Sequence, residues 1–138
     1  MKALFLTRLY TCPIHMKILA VDDDAALRRL LYFFLKDQYE VVTLATAEEA
    51  IRYIRSNPLD AVIMDVSLEG EMDGDEAVSE LRRSHPNLPI IALSGYVFKQ
   101  HREMCSNAGY TDFIPKPFSQ EQIISSLEKW LSYGAART

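Results

Sequence analysis

No stretch of this chain approaches the ~18 consecutive apolar residues that a membrane-spanning helix needs, so neither a bilayer-crossing helix nor a membrane partner is expected. Cysteine is scarce. Cys12 and Cys105 stand far apart, with no CxxC spacing and no nearby histidine pair, which indicates neither a zinc site nor a disulfide framework and fits a reducing cytosol. An excess of positive charge is missing as well: 15 lysines and arginines face 19 acids, for a net charge of −4, and the basic residues cluster only in short pairs such as Arg28-Arg29 and Arg82-Arg83. Direct nucleic-acid binding is therefore not expected. The first fifteen residues hold only a short apolar stretch, Ala3 to Leu6, which Arg8 interrupts with no small-residue cleavage site after it, so they do not read as a signal peptide. A cytoplasmic location is the expectation.

What is present is an ordinary globular composition, 49% hydrophobic and 25% charged, in 138 residues. That length suits one domain able to bury roughly two-thirds of the surface its unfolded form exposes. Met16 followed by KILAVDDD looks like a natural start. Residues 1–15 are thus expected to be an N-terminal extension, non-native, from an upstream start or an ordered decoration, residues 16–133 the domain, and residues 134–138 a short tail.

Short apolar runs alternate with amphipathic stretches along the domain. Lys17 to Val21 is too short for a helix and is bounded by acids, as a strand buried on both faces should be. Asp24 suits a helix N-cap, and Leu27, Leu30, Leu31, Phe34 and Leu35 recur at helical spacing, predicting a helix over Ala25 to Lys36. Tyr39 to Ala45 reads as a second strand. Thr46-Ala-Glu-Glu49 is a capping box that opens a helix to about Ser56, which Asn57-Pro58 ends. Leu59 to Asp65 is the third strand, Ser67 to Gly74 a loop, Asp75 to Ser84 a helix and Ile90 to Leu93 the fourth strand. Phe98 to Ala108 forms a helix that Gly109 can end, Thr111 to Ile114 a short strand closed off by Pro115, and Ser119-Gln-Glu-Gln122 caps a last helix that ends near Gly134. Five strands alternating with five helices imply a parallel sheet covered on both sides.

The chemistry sits where strands stop. Asp22-Asp23, Asp65, Ser94 and Lys116 each follow an apolar run directly, and in a parallel sheet the carboxyl ends of the strands lie along one edge. Each signal alone has a plain structural explanation: acids favour helix amino ends, Ser-Gly makes turns, and a lysine between prolines is normally solvated. Their coincidence on four strands points to phosphoryl transfer onto a carboxylate. Three adjacent acids repel, and Mg²⁺, which prefers oxygen ligands, relieves them. Asp65 would accept the phosphoryl group, Asp22, Asp23 and Asp65 would hold Mg²⁺, and Lys116 and Ser94 would meet the phosphoryl oxygens.

These residues resemble the receiver domains of two-component response regulators, from Lys17 to about Tyr133. The likeness is carried by ILAVDDD, AVIMD, Met72-Asp-Gly74, ALSGY and DFIPKPF, in this order. It implies a flavodoxin-like, doubly wound sheet of order 2-1-3-4-5, phosphorylation of Asp65 by a histidine kinase or phosphotransfer protein, metal ligation that includes the backbone carbonyl of Ser67, and a cis bond between Lys116 and Pro117. It also implies a switch in which Ser94 moves inward and Phe113 reports to a downstream protein target through the face of the fourth helix, fifth strand and fifth helix, with Tyr96 and Phe98 taking part. No enzyme activity is expected beyond self-phosphorylation from a phosphodonor and slow autodephosphorylation, which Tyr96 would tune. A monomer or weak homodimer is expected.

Three departures stand out against that pattern. The loop VSLEGEMDG lacks the common proline and carries one extra residue, Ser94 stands where threonine is also frequent, and Phe113 fills a position often held by tyrosine. A stand-alone receiver is the leading expectation; a receiver cut from a larger regulator or hybrid kinase, or a phosphorylation-independent pseudo-receiver, is the alternative. A pseudo-receiver should have lost some of the acids or the lysine. A haloacid-dehalogenase-type phosphohydrolase would need a second aspartate at Ser67, and a flavin binder would not place Asp22-Asp23 where the flavin phosphate sits.

Overall fold

In the computed structural model, residues 16–68, 70, 72–95 and 99–136 are described, with the side chains of 99–102 and 132–136 excepted. The expected extension 1–15, Tyr96 and Phe98 lie outside the described residues. Five strands, β1 (Lys17–Val21), β2 (Glu40–Leu44), β3 (Ala61–Asp65), β4 (Ile90–Ser94) and β5 (Asp112–Pro115), alternate with α1 (Ala25–Leu35), α2 (Ala47–Ser56), α3 (Gly74–Ser84), α4 (Lys99–Ala108) and α5 (Gln120–Ala136). They form one parallel sheet of order β2-β1-β3-β4-β5. The flavodoxin-like expectation holds.

The helices divide between the two faces, and the alternation of side chains along each strand decides which residues meet which layer. Ile18, Ala20, Ile63, Ile91, Leu93 and Ile114 pack with Leu31 and Leu35 of α1 and with Ile123, Leu127 and Leu131 of α5. On the other face Leu19, Val21, Val62, Met64 and Ala92 pack with α2 through Ala50, Ile51 and Ile54, with α3 through Ala77, Val78 and Leu81, and with Cys105 and Tyr110. Phe113, opposite Ala92 in the register, lies partly buried against this second layer.

The predicted caps form. The Asp24 side chain accepts from Ala26 N, and Thr46 accepts from Glu49 N while its hydroxyl donates to the Glu49 carboxylate. Gly109 follows α4 with φ +114°, a conformation that disfavours any side chain. Several boundaries differ from the sequence-based expectation. The last helix runs on to Ala136 instead of ending near Gly134, because two alanines follow the glycine and sustain the helix, which shortens the expected 134–138 tail. Pro115 belongs to β5 instead of closing it, since it stands opposite Ser94 at the end of the sheet, where a missing N–H is tolerated. The third strand starts at Ala61, two residues late, because Asp60 turns its carboxylate onto Lys17 N at 2.7 Å.

Candidate phosphoacceptor and cation site

Parallel pairing places the strand ends in one row. Val21 stands opposite Met64, Asp65 opposite Leu93 and Ser94 opposite Pro115, so the residues just beyond Val21, Met64, Leu93 and Pro115 converge at one edge. Backbone bonds fix this edge: Asp22 N donates to Leu44 O at 3.1 Å, Val66 N, next to Asp65, to Leu93 O at 3.0 Å, and Lys116 N to Ser94 O at 2.6 Å.

Asp22 and Ser94 have no exposed surface, Asp65 is 3% exposed, and Asp23 is exposed. Lys116 reaches into the row, its Nζ 3.3 Å from Asp22 Oδ2 and 3.5 Å from Asp65 Oδ1. Asp22 Oδ1 accepts from Asp24 N at 2.9 Å and Asp65 Oδ1 from Ser67 N at 3.0 Å. Burial, and next the charge of Asp65, push the Asp22 carboxyl above its ordinary range, although the Asp24 N–H and the Lys116 ammonium pull it down. The Lys116–Pro117 peptide bond is cis, as the resemblance implies.

Carboxylate oxygens of Asp22, Asp23 and Asp65 lie within 4.8 Å of one another. The Lys116 ammonium contacts two of these carboxylates, Asp22 and Asp65, and both of those acids are shut away from water. An all-oxygen donor set of this kind fits a hard divalent cation such as Mg²⁺. Four of the expected residues, Asp22, Asp23, Asp65 and Lys116, are thus brought together by measured contacts. Ser94 is buried at the end of the adjoining strand, and Ser67 is tied to Asp65 through its N–H.

Two supporting residues were given no role at the site by the sequence reading. Arg28 of α1 donates from its guanidinium to Asp22 O at 2.7 Å, which locks the acidic turn to the helix behind it. Gly74 packs so closely against β3 that a Cβ there would lie 2.6 Å from Asp65 O and 2.6 Å from the Tyr110 hydroxyl, so the first residue of α3 must be glycine for the helix to seat against the Asp65 carbonyl. The match of Met72-Asp-Gly74 to a family motif marked this glycine without giving its reason.

Fold and site together define a doubly wound α/β protein with an acidic, cation-competent pocket at the carboxyl edge of its sheet. Comparison with known proteins gives the particular family. The response regulator receiver domain profile matches residues 18–128. A receiver domain protein of CheY-like type from Methanospirillum hungatei superposes with a TM-score of 0.84 at 25% identity, covering 91% of this chain and all of its own. The receiver domain of a sensor histidine kinase from Pseudomonas aeruginosa, whose structure has a magnesium ion coordinated in the active-site cleft, superposes with a TM-score of 0.79 at 30% identity, covering 86% of this chain and 99% of its own. Response regulator MprA of a Mycobacterium species is 34% identical over 117 residues, 84% of this chain and 50% of its own length. The chain belongs to the response regulator receiver domain family of two-component signalling. It spans 89% of an uncharacterised 14.6 kDa protein of Leptolyngbya boryana, but only about a quarter of the NtrX-like regulators of Rickettsia that it also matches.

Receiver domains are regulatory modules and not enzymes in the usual sense. Among the described residues no helix is long and apolar enough to cross a membrane.

Proposed function

We propose that this receiver accepts a phosphoryl group on Asp65 from a phosphohistidine of a histidine kinase or phosphotransfer protein. The observation that carries this reading is the placement of Asp65, almost fully buried, 3.5 Å from Lys116 and within ligand distance of Asp22 and Asp23. A carboxylate oxygen of Asp65 attacks phosphorus, the P–N bond to the donor imidazole breaks, and the electron pair leaves on the imidazole nitrogen, which takes up a proton. Asp22 and Asp23 with Asp65, and the carbonyl of Ser67, hold Mg²⁺, which supplies charge neutralisation for the transferred oxygens. Lys116 releases its contact with Asp65 to meet a phosphoryl oxygen, and Ser94 donates its hydroxyl to another. Burial keeps competing water low and strengthens these charge contacts.

Ser94 and Phe113 form the switch of this reading. Phe113 stands at the second position of β5, opposite Ala92 and two residues short of the Ser94–Pro115 pair, so an inward move of Ser94 opens room beside the ring. The altered face of α4, β5 and α5 then binds a downstream protein target, and the protein acts in the cytoplasm as a monomer or weak homodimer.

Incubation with Mg²⁺ and acetyl phosphate, followed by intact mass, tests the transfer. One added phosphoryl group in the wild type and none in Asp65→Asn is expected; equal labelling of both would refute the assignment. For the switch, Ser94→Ala should bind its target equally with and without phosphorylation, and a fully phosphorylation-dependent Ser94→Ala would remove Ser94 from it.

A further inference from the structure

The loop between Asp65 and α3 contains no proline, so something other than a rigid ring has to hold it. At its ends the loop is tied to the acceptor, by Ser67 N on Asp65 Oδ1 and by Gly74 seated against Asp65 O. Between these ends the contact comes from another helix. Met72 N donates to Glu48 Oε1 at 2.9 Å, across 24 residues of sequence. Both Glu48 carboxylate oxygens lie 3.6 Å from where a Cβ on Gly70 would sit, and Gly70 has φ +134°, so the loop backbone folds over the carboxylate at a position only glycine adopts easily.

Glu48 is well placed to serve as an anchor. It is the second residue of α2, where the partial positive charge of the helix amino end favours a carboxylate. The helix start is itself pinned by the Thr46–Glu49 capping box, and its next turns are buried through Ala50, Ile51 and Ile54. A loop hung on that carboxylate inherits the position of the core.

We infer that Glu48 is a positioning residue for the cation site: by accepting the Met72 N–H it holds the loop, and with it Ser67, in the geometry that Mg²⁺ binding beside Asp65 requires. The inference rests on the proposed Mg²⁺-dependent phosphorylation. Its test is arranged so that the two can fail separately.

Mg²⁺ binding is measured by calorimetry on the full chain, without any phosphodonor, for wild type, Glu48→Ala and Glu48→Gln, with urea unfolding as a check of fold. Removing a group that orients a metal ligand typically lowers metal affinity by about tenfold or more. Glu48→Ala should therefore weaken Mg²⁺ binding about tenfold and speed hydrogen exchange at the Met72 amide, with a near-normal urea midpoint. Glu48→Gln keeps an oxygen acceptor for Met72 N and should recover most of the affinity. Wild-type affinity in Glu48→Ala would overturn the inference, and so would a Glu48→Gln as weak as Glu48→Ala, because charge and not the hydrogen bond would then be responsible. If Glu48→Ala weakens Mg²⁺ while the wild type takes no phosphoryl group from acetyl phosphate, the anchor stands and the acceptor reading of Asp65 falls.

Discussion

Substituting Gly74 by alanine should damage phosphoryl transfer more than it damages the fold. A methyl carbon at this position would lie 2.6 Å from Asp65 O and 2.6 Å from the Tyr110 hydroxyl, with Val66 Cα at 3.2 Å. Ordinary carbon–oxygen contacts begin near 3.3 Å, so the overlap is about 0.7 Å against each oxygen. Neither oxygen can step aside easily, because one is the backbone of β3 and the other belongs to a tyrosine only 7% exposed. The amino end of α3 must move instead. Alanine gains about 1 kcal/mol in helix propensity, while overpacking of this kind costs about 1–3 kcal/mol, so the net loss of stability is at most about 2 kcal/mol. The same shift is felt at the Asp65 carbonyl and in the loop that carries Ser67, where a 1 Å misplacement is worth about 100-fold in rate. Phosphorylation by acetyl phosphate, followed by intact mass over time, should slow roughly ten- to hundredfold, with urea unfolding reporting the smaller change. A Gly74→Ala protein with the wild-type rate and urea midpoint would refute the close-packing argument.

Three further outcomes follow from the same structure. Arg82 donates to Gly109 O, His85 O, Leu88 O and the Thr111 hydroxyl, and burial lowers its pKa; Arg82→Met should cost about 3 kcal/mol in urea unfolding, about 1 for each stranded carbonyl, and a loss below about 1 kcal/mol would contradict that role. For Asp112, burial pushes the carboxyl up, but hydrogen bonds from Trp130 at 2.9 Å, Ser126 at 2.7 Å and its neighbour's N–H outweigh it and hold it below its ordinary value of 3.8. Its stabilising contribution is therefore complete above the unfolded-state pKa and is lost as pH falls below 3.8 through the folded-state value. Emission of Trp130, the only tryptophan, should change with a midpoint below 3.8 while helical circular dichroism persists; a midpoint at or above 3.8 would count against the bonded carboxylate. Mg²⁺ at a hundred times its Kd should stabilise the fold by about 2.7 kcal/mol, and the exposed Asp23, changed to Asn, should lose most of that gain without losing apo stability. Equal stabilisation of both proteins would place the ion elsewhere.

Much of the architecture was legible because buried parallel strands leave a plain mark: short apolar runs that stop at a polar residue, separated by capped amphipathic helices. Asp22, Asp23, Asp65 and Lys116 were visible for the same reason, since parallel strands bring their carboxyl ends together. Strand order was not in the periodicity. It came from the resemblance, because crossover length says that strands are parallel but not which are neighbours. The side-chain contacts that tie separate elements together were the least visible. Arg82 reads as half of a scattered basic pair, Glu48 as a solvated helix-end acid, and Asp112 as an acid at a strand start. Beside nearer partners of Arg82 and Asp112, each has partners 14 to 29 residues away along the chain, where neither helical nor strand spacing leaves a trace. Element ends shifted where a hydrogen bond from a distant part of the chain or a pair of strong helix formers outweighed the expected boundary, as at Asp60 and at Ala135-Ala136.

The acceptor itself is tested most directly by trapping the bond it would form. After incubation with Mg²⁺ and acetyl phosphate, borohydride reduction turns an aspartyl phosphate into homoserine, and peptide mass spectrometry then locates the converted residue. Homoserine at position 65 alone, dependent on Mg²⁺, is the predicted result. Conversion at Asp22 or Asp23 instead, or none in a folded protein that binds Mg²⁺, would contradict Asp65 as the phosphoryl acceptor.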